Sequence, residues 1–188
     1  MSKNIRTFIA VDLPGKIISS IGQVQERIAT YGFKIRWIRP ENIHLTLKFL
    51  GDMKAANIDK VGSVMDKSVS EYSPIPLKAK GIGVFPGIKR PRVIWTGISG
   101  QVSQLIGLQK RLEENLDGMG FPKENRPFKA HLTFGRVKNR LDPKRLGDAL
   151  KEFSGFESEE FVADRVILYK SDLKPTGAIY TKLVEADL

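Results

Sequence analysis

Apolar residues recur along this chain at two spacings, and the switches between them mark out its elements. Ile17, Ile21, Val24 and Ile28 fall three or four apart behind Pro14-Gly15, which predicts a helix with one buried face that stops near Gly32. Ile58, Val61, Met65 and Val69 repeat the spacing before Ser73-Pro74, and Val102, Leu105, Leu108, Leu112 and Leu116 repeat it up to Gly118-Met119-Gly120. A fourth helix starts at Asp142-Pro143 and runs to about Phe153. Between the helices, runs rich in apolar and β-branched residues predict strands at Ile5 to Leu13, Ile43 to Leu50, Ile75 to Phe85, Arg92 to Ile98, Ala130 to Val137, Phe161 to Lys170 and Ala178 to Val184.

The order helix, strand, helix, strand, strand therefore occurs twice, and Ile94-Trp95-Thr96 is echoed by Ile179-Tyr180-Thr181. An internal duplication within one domain spanning residues 1–188 is the expectation, each half supplying one side of a cleft.

Composition narrows the chemistry. Cysteine is absent, which removes disulfides, thiolate metal sites and cysteine nucleophiles. With only two histidines and no His-x-x-x-His pattern, no metal is expected. Thirty-one Lys and Arg against 21 Asp and Glu give a formal charge of +10, which favours a polyanionic partner such as nucleic acid. No apolar run approaches the roughly 18 residues of a membrane-spanning helix, and no signal-peptide pattern opens the chain, so a cytoplasmic protein, by default a monomer, is expected.

Both histidines lie in the same tripeptide, His44-Leu45-Thr46 and His131-Leu132-Thr133, each followed by an apolar residue. At ordinary abundances a histidine is followed by Leu-Thr roughly once in two hundred cases, so two out of two marks a functional pair. On a strand, side chains two apart share a face, so each copy offers an imidazole and a hydroxyl together while the leucines anchor it from behind. An imidazole titrates near neutrality, so one ring can take a proton while the other gives one, as hydrolysis of a cyclic phosphodiester requires. The threonines are placed to donate to phosphate oxygens. A Ser-His-Asp triad would leave one histidine idle, and no Gly-x-Ser-x-Gly is present. From the residues alone, which histidine is the acid stays open.

With these motifs, the chain resembles the LigT-like family of RNA 2′,3′-cyclic phosphodiesterases, or 2′-5′ RNA ligases, within the two-histidine phosphoesterases. The likeness runs from Arg6-Thr7-Phe8-Ile9-Ala10-Val11-Asp12-Leu13-Pro14 through Trp37 and His44 to Gly51, then Arg92-Val93-Ile94-Trp95, Phe128-Lys129-Ala130-His131 and Tyr169-Lys170-Ser171. Ala130 departs from the proline many relatives carry before the second histidine. The resemblance implies an α+β fold, bilobal and pseudo-twofold, with antiparallel sheets, outer helices and the motifs facing each other across a basic cleft, without cofactor. It also implies His44 as proton donor and His131 as proton acceptor, a 2′-phosphate product and weak reverse 2′-5′ joining. The partner would be RNA with 2′,3′-cyclic phosphate ends, tRNA-derived ends included.

Strand alternation carries on from His44 and Thr46 to Lys48, which is expected in the same cleft as a phosphate contact. Arg126, just ahead of the second motif strand, is the arginine expected to bind phosphate, whereas Arg136 falls on the far face by simple alternation. The basic loop Gly87 to Arg92 is a candidate RNA track, and Phe8, Trp37, Phe128 and Tyr180 are candidate base platforms. A competing reading makes the same cleft a binding module for single-stranded RNA ends without turnover.

Overall fold

Each apolar stripe becomes a packed helix face. In the computed structural model, which describes residues 4–175 and 177–188, α1 (Gly15–Ala29) buries Ile17, Ile21, Val24 and Ile28, and α2 (Ile58–Val69) buries Val61, Met65 and Val69. Helix α3 (Val102–Asp117) buries Leu105, Leu108, Leu112 and Leu116. The short α4 (Pro143–Lys151) starts where Asp142 caps it, its Oδ1 accepting the Arg145 backbone N–H at 2.7 Å.

The strands are β1 (Asn4–Val11), β2 (Ile35–Trp37), β3 (Leu45–Lys54), β4 (Ile75–Phe85), β5 (Val93–Gly100), β6 (His131–Val137), β7 (Phe161–Ala163), β8 (Arg165–Lys174) and β9 (Gly177–Asp187). They form two antiparallel sheets, ordered β3-β1-β8-β9 and β2-β6-β5-β4-β7. The fold is α+β, as expected.

Two expectations are corrected here. The single strand expected from Phe161 to Lys170 is two strands broken at Asp164: β7 pairs with β4 in one sheet and β8 with β1 in the other. Phe161 and Ala163 are buried and so is the run Val166 to Leu168, so apolar content alone could not show the change of sheet. Nor does each half of the chain supply one side of the cleft. Strands β8 and β9, from the second half, join β1 and β3, because β8 finds its hydrogen-bonding partner in β1. The echoed segments Ile94-Trp95-Thr96 and Ile179-Tyr180-Thr181 are paired differently, since β5 pairs directly with motif strand β6 while β9 pairs only with β8 at a sheet edge.

One large core unites both sheets with α1, α2 and α3 and contains Leu45, Leu47, Leu132 and Phe134 from the motif strands. A smaller cluster of Phe8, Ala10, Ile167 and Tyr169, with Tyr180 against it, covers the other face of the first sheet. No helix among the described residues is long and apolar enough to cross a membrane.

Candidate active site

Both motif strands carry the same irregularity. In β3, Thr46 pairs with Ala10 and Lys48 with Ile9, leaving Leu47 as the extra residue; in β6, Thr133 pairs with Trp95 and Gly135 with Ile94, leaving Phe134 extra. Each is a β-bulge at the position that follows His-Leu-Thr, and a bulge re-aims every side chain after it. The freed carbonyls are tied down from helices. Gln109 Nε2 of α3 donates to Leu47 O at 3.3 Å, and Gln25 Nε2 of α1 donates to Phe134 O at 2.8 Å and to Ile38 O at 3.0 Å. Both glutamines are buried, so each motif strand is held in register by a side chain with no water to compete for it.

The two rings are held alike. His44 Nδ1 lies 2.8 Å from Asn42 O and His131 Nδ1 lies 2.6 Å from Lys129 O, in each case the carbonyl two residues earlier. A carbonyl only accepts, so each Nδ1 carries the proton and each Nε2 is left for chemistry. His44 and Thr46 are half-buried between buried Leu45 and Leu47, and His131 and Thr133 are half-buried about buried Leu132, so each imidazole shares its face with a hydroxyl. Strands β3 and β6 contact each other although they belong to different sheets.

Their surroundings differ. His44 stacks on Phe8 with centroids 4.7 Å apart and meets Tyr180 edge-on at 5.2 Å. This burial pushes its pKa down to about 4, against the opposing pull of the Asn42 carbonyl and the Asp12 charge. His131 has ring edges of Phe85 and Trp95 at 5.1 and 6.3 Å. Trp95 lies flat on Gly83, where a Cβ would come within 2.3 Å of the indole, so only glycine lets that ring sit beside His131.

The bulges overturn two sequence expectations. Lys48 does not reach the cleft: set opposite Ile9, it is buried with 2% exposure, and its Nζ bonds Glu113 Oε2 at 2.5 Å and Pro122 O at 2.8 Å. The cleft position that alternation assigns to Lys48 belongs to Phe49, paired with Phe8 and 60% exposed. Conversely, Arg136 pairs with Val93, two residues before Trp95, and so shares the face of His131 and Thr133. Arg126 is exposed and lines, with Phe49, Phe121 and Lys123, a recess of about 550 Å³ that contains neither histidine. Phe8 is core, and Tyr180 borders His44.

Beside His44, Asp12 Oδ1 accepts the Tyr169 hydroxyl and its Oδ2 meets Lys182 Nζ at 2.7 Å, a chain that fixes the wall of the His44 pocket. Sequence reasoning missed Phe49, Tyr169, Gln25 and Gln109. The glutamines break their helices' apolar stripes with a polar residue, and that was their only signal.

The LigT-like phosphoesterase family model matches residues 11–95 and 97–180, ranges that contain one motif strand each, and the chain belongs to that family. Among its relatives, the RNA 2′,3′-cyclic phosphodiesterase of Methanocaldococcus jannaschii is 36% identical over 181 residues, covering 96% of this chain and 99% of that one. The protein of the same name from Aquifex aeolicus is 36% identical over 170 residues, covering 88% and 90%. A crystal structure from Thermus thermophilus superposes with a TM-score of 0.78 at 25% identity over 98% of both chains. E. coli LigT complexed with 3′-AMP, at 22% identity, TM-score 0.74 and 99% coverage of both chains, has the same fold.

Proposed function

We propose that this chain hydrolyses the 2′,3′-cyclic phosphate at RNA ends to a 2′-phosphate, using His44 and His131 as an acid-base pair. The observation that carries this reading is the matched seating of two imidazoles, each Nδ1 bound to a backbone carbonyl so that Nε2 is free to move a proton. The names of the relatives supply the substrate class. In the reaction, His131 takes a proton from water as its oxygen bonds phosphorus; the bond from phosphorus to the 3′-oxygen breaks, and His44 delivers its proton there. Thr46 and Thr133 donate to the non-bridging oxygens, where charge is held in the transition state. With a 5′-hydroxyl RNA end in place of water, the same step would form a 2′-5′ linkage between RNA ends, a weak and reversible second activity.

Proton transfer by the two rings leaves no task for a metal, and among the described residues no three His, Asp or Glu side chains cluster as ligands. The chain acts as a cytoplasmic monomer, with tRNA-derived ends among its substrates. The two motif strands, bulged alike and tied alike, descend from one duplicated unit.

One observation favours the reverse assignment: burial holds His44 near 4, so the ring is neutral at neutral pH, as a proton acceptor should be. A bound phosphate anion would raise it and restore the donor role. A cyclic substrate with sulphur in place of the 3′-oxygen decides, because a thiolate leaves without needing a proton. That substrate should rescue His44→Ala and not His131→Ala if His44 is the donor. RNA with a 2′,3′-cyclic end tests the whole reading: a 2′-monophosphate product, unaffected by chelator, supports it. Binding without turnover would make the cleft an RNA-end module instead.

A further inference from the structure

Lys48 and Glu113, buried as a pair, hold more than each other. Glu113 Oε2 also accepts the backbone N–H of Glu124 at 3.2 Å, and Lys48 Nζ donates to Pro122 O, so two charged groups pin the loop that follows α3. Gln109, the residue that ties the bulge in β3, donates to Glu113 Oε1 at 3.1 Å as well. One buried network therefore joins the His44 motif strand to a loop that carries neither histidine. Two charges taken out of water are costly unless bonded this fully, and what they fix in place is the wall of a recess.

The lining of that recess suits one kind of occupant. Phe49, 60% exposed, and Phe121 supply aromatic surface; Lys123 and Arg126 supply positive charge, and Glu124 a carboxylate. Among the described residues, neither cation forms an ion pair with a carboxylate. Aromatic faces beside unneutralised cations are how single-stranded nucleic acid is held, and a carboxylate accepts from a base amino group or a ribose hydroxyl. The recess also continues the cleft, because Phe8 touches both ends of the path: its ring is 4.7 Å from that of His44 and 6.1 Å from that of Phe49.

We propose that this recess is a nucleotide subsite, which takes the base preceding the reacting RNA end onto Phe49, with the adjoining phosphate against Lys123 and Arg126. It rests on the cyclic-phosphate reading of the histidine pair. Every base has a flat face to stack, so the subsite selects for a chain over a free mononucleotide and not for its sequence.

The test compares two dinucleotides with the same 2′,3′-cyclic terminal nucleotide, one with a base on the preceding ribose and one abasic there. In the wild type the added base should raise kcat/KM roughly tenfold, through KM, as stacking on one ring does. Phe49→Ala should bring the two substrates nearly level, whereas Phe49→Tyr, which keeps the ring face, should keep the preference. Lys123→Gln, at an exposed position, is a second variant, and it should make the slope of log kcat/KM against log salt shallower by about 0.7. Equal rates in the wild type, a full preference retained in folded Phe49→Ala, or an unchanged slope in Lys123→Gln would overturn the subsite. So would an equal loss on a free cyclic mononucleotide in Phe49→Ala, since the ring would then hold the terminal base. If neither dinucleotide is turned over, the cyclic-phosphate reading fails by itself. Affinities for the same pair bearing a 2′-phosphate end then decide the subsite by the same ratio.

Discussion

The half-site around His44 and the half-site around His131 are built from one pattern and finished differently. Each has the imidazole seated on the carbonyl two residues back, a bulge after the threonine and a buried glutamine on the bulged strand. Around His44 stand Phe8, Tyr169 and Tyr180, which exclude water and hold the ring neutral; around His131 the aromatic contacts are edge-on and fewer. Past the bulge the sides diverge again, with an exposed phenylalanine on one and an exposed arginine on the other. A repeated local motif repeats the backbone geometry, and the neighbours each strand acquires decide what the repeated group does.

The sharpest way to break this comparison is to remove the rings one at a time. His44→Ala and His131→Ala should each cost about 10²–10⁴ in kcat on a cyclic-ended RNA, and the double variant should lose far less than the product of the two factors. Full multiplication in steady-state kinetics would mean the rings do not serve one reaction.

Next in size comes the buried cation. Lys48→Ala leaves Glu113 unpaired in the core and should destabilise the fold by about 3–5 kcal/mol in denaturant titration. Replacing both partners, as in Lys48→Met with Glu113→Leu, should recover most of the loss. If Lys48→Ala unfolds like the wild type but binds RNA poorly, Lys48 belongs to the cleft after all.

The glutamine ties give a smaller effect that compares the two strands directly. Gln109→Leu and Gln25→Leu each strip a buried carbonyl of a donor, at about 1–3 kcal/mol. Phe134 O keeps the Ile38 N–H at 3.0 Å when Gln25 is lost. Amide exchange in β3 and β6 of each variant should locate the loosened strand: β3 for Gln109→Leu and β6 for Gln25→Leu.

The remaining effect is in pH. His44 is held near 4 in the fold, against 6.5 for the ordinary group, so between these values the unfolded chain binds the proton that the folded ring refuses. Its contribution to stability is complete above 6.5 and is lost as pH falls toward 4. In His44→Phe the slope of stability against pH should be shallower within that window and unchanged above it. Carbon-detected NMR of the wild-type ring should show no protonation until close to pH 4.

Much of this was legible one residue at a time. The three long helix faces could be read because a helix buries every third or fourth residue whatever it packs against, and α1, α2 and α3 bury the stripes the spacing predicts. The paired motif was legible because His, Leu and Thr at successive positions state their chemistry without reference to anything distant.

What depended on distant partners was not. Lys48 and Arg136 changed faces because Leu47 and Phe134 were left out of the ladders, and a bulge is a relation between two strands that neither strand's residues announce. The break at Asp164 sends β7 and β8 to different sheets through hydrogen bonds to β4 and β1, strands more than 80 residues earlier in the chain. The amino-acid sequence by itself determined the helix faces, the positive charge and the two imidazole-hydroxyl pairs. Which side chains share the cleft with them was decided only by strand pairing, because facing in a sheet depends on register, and register is agreed between strands far apart in the chain.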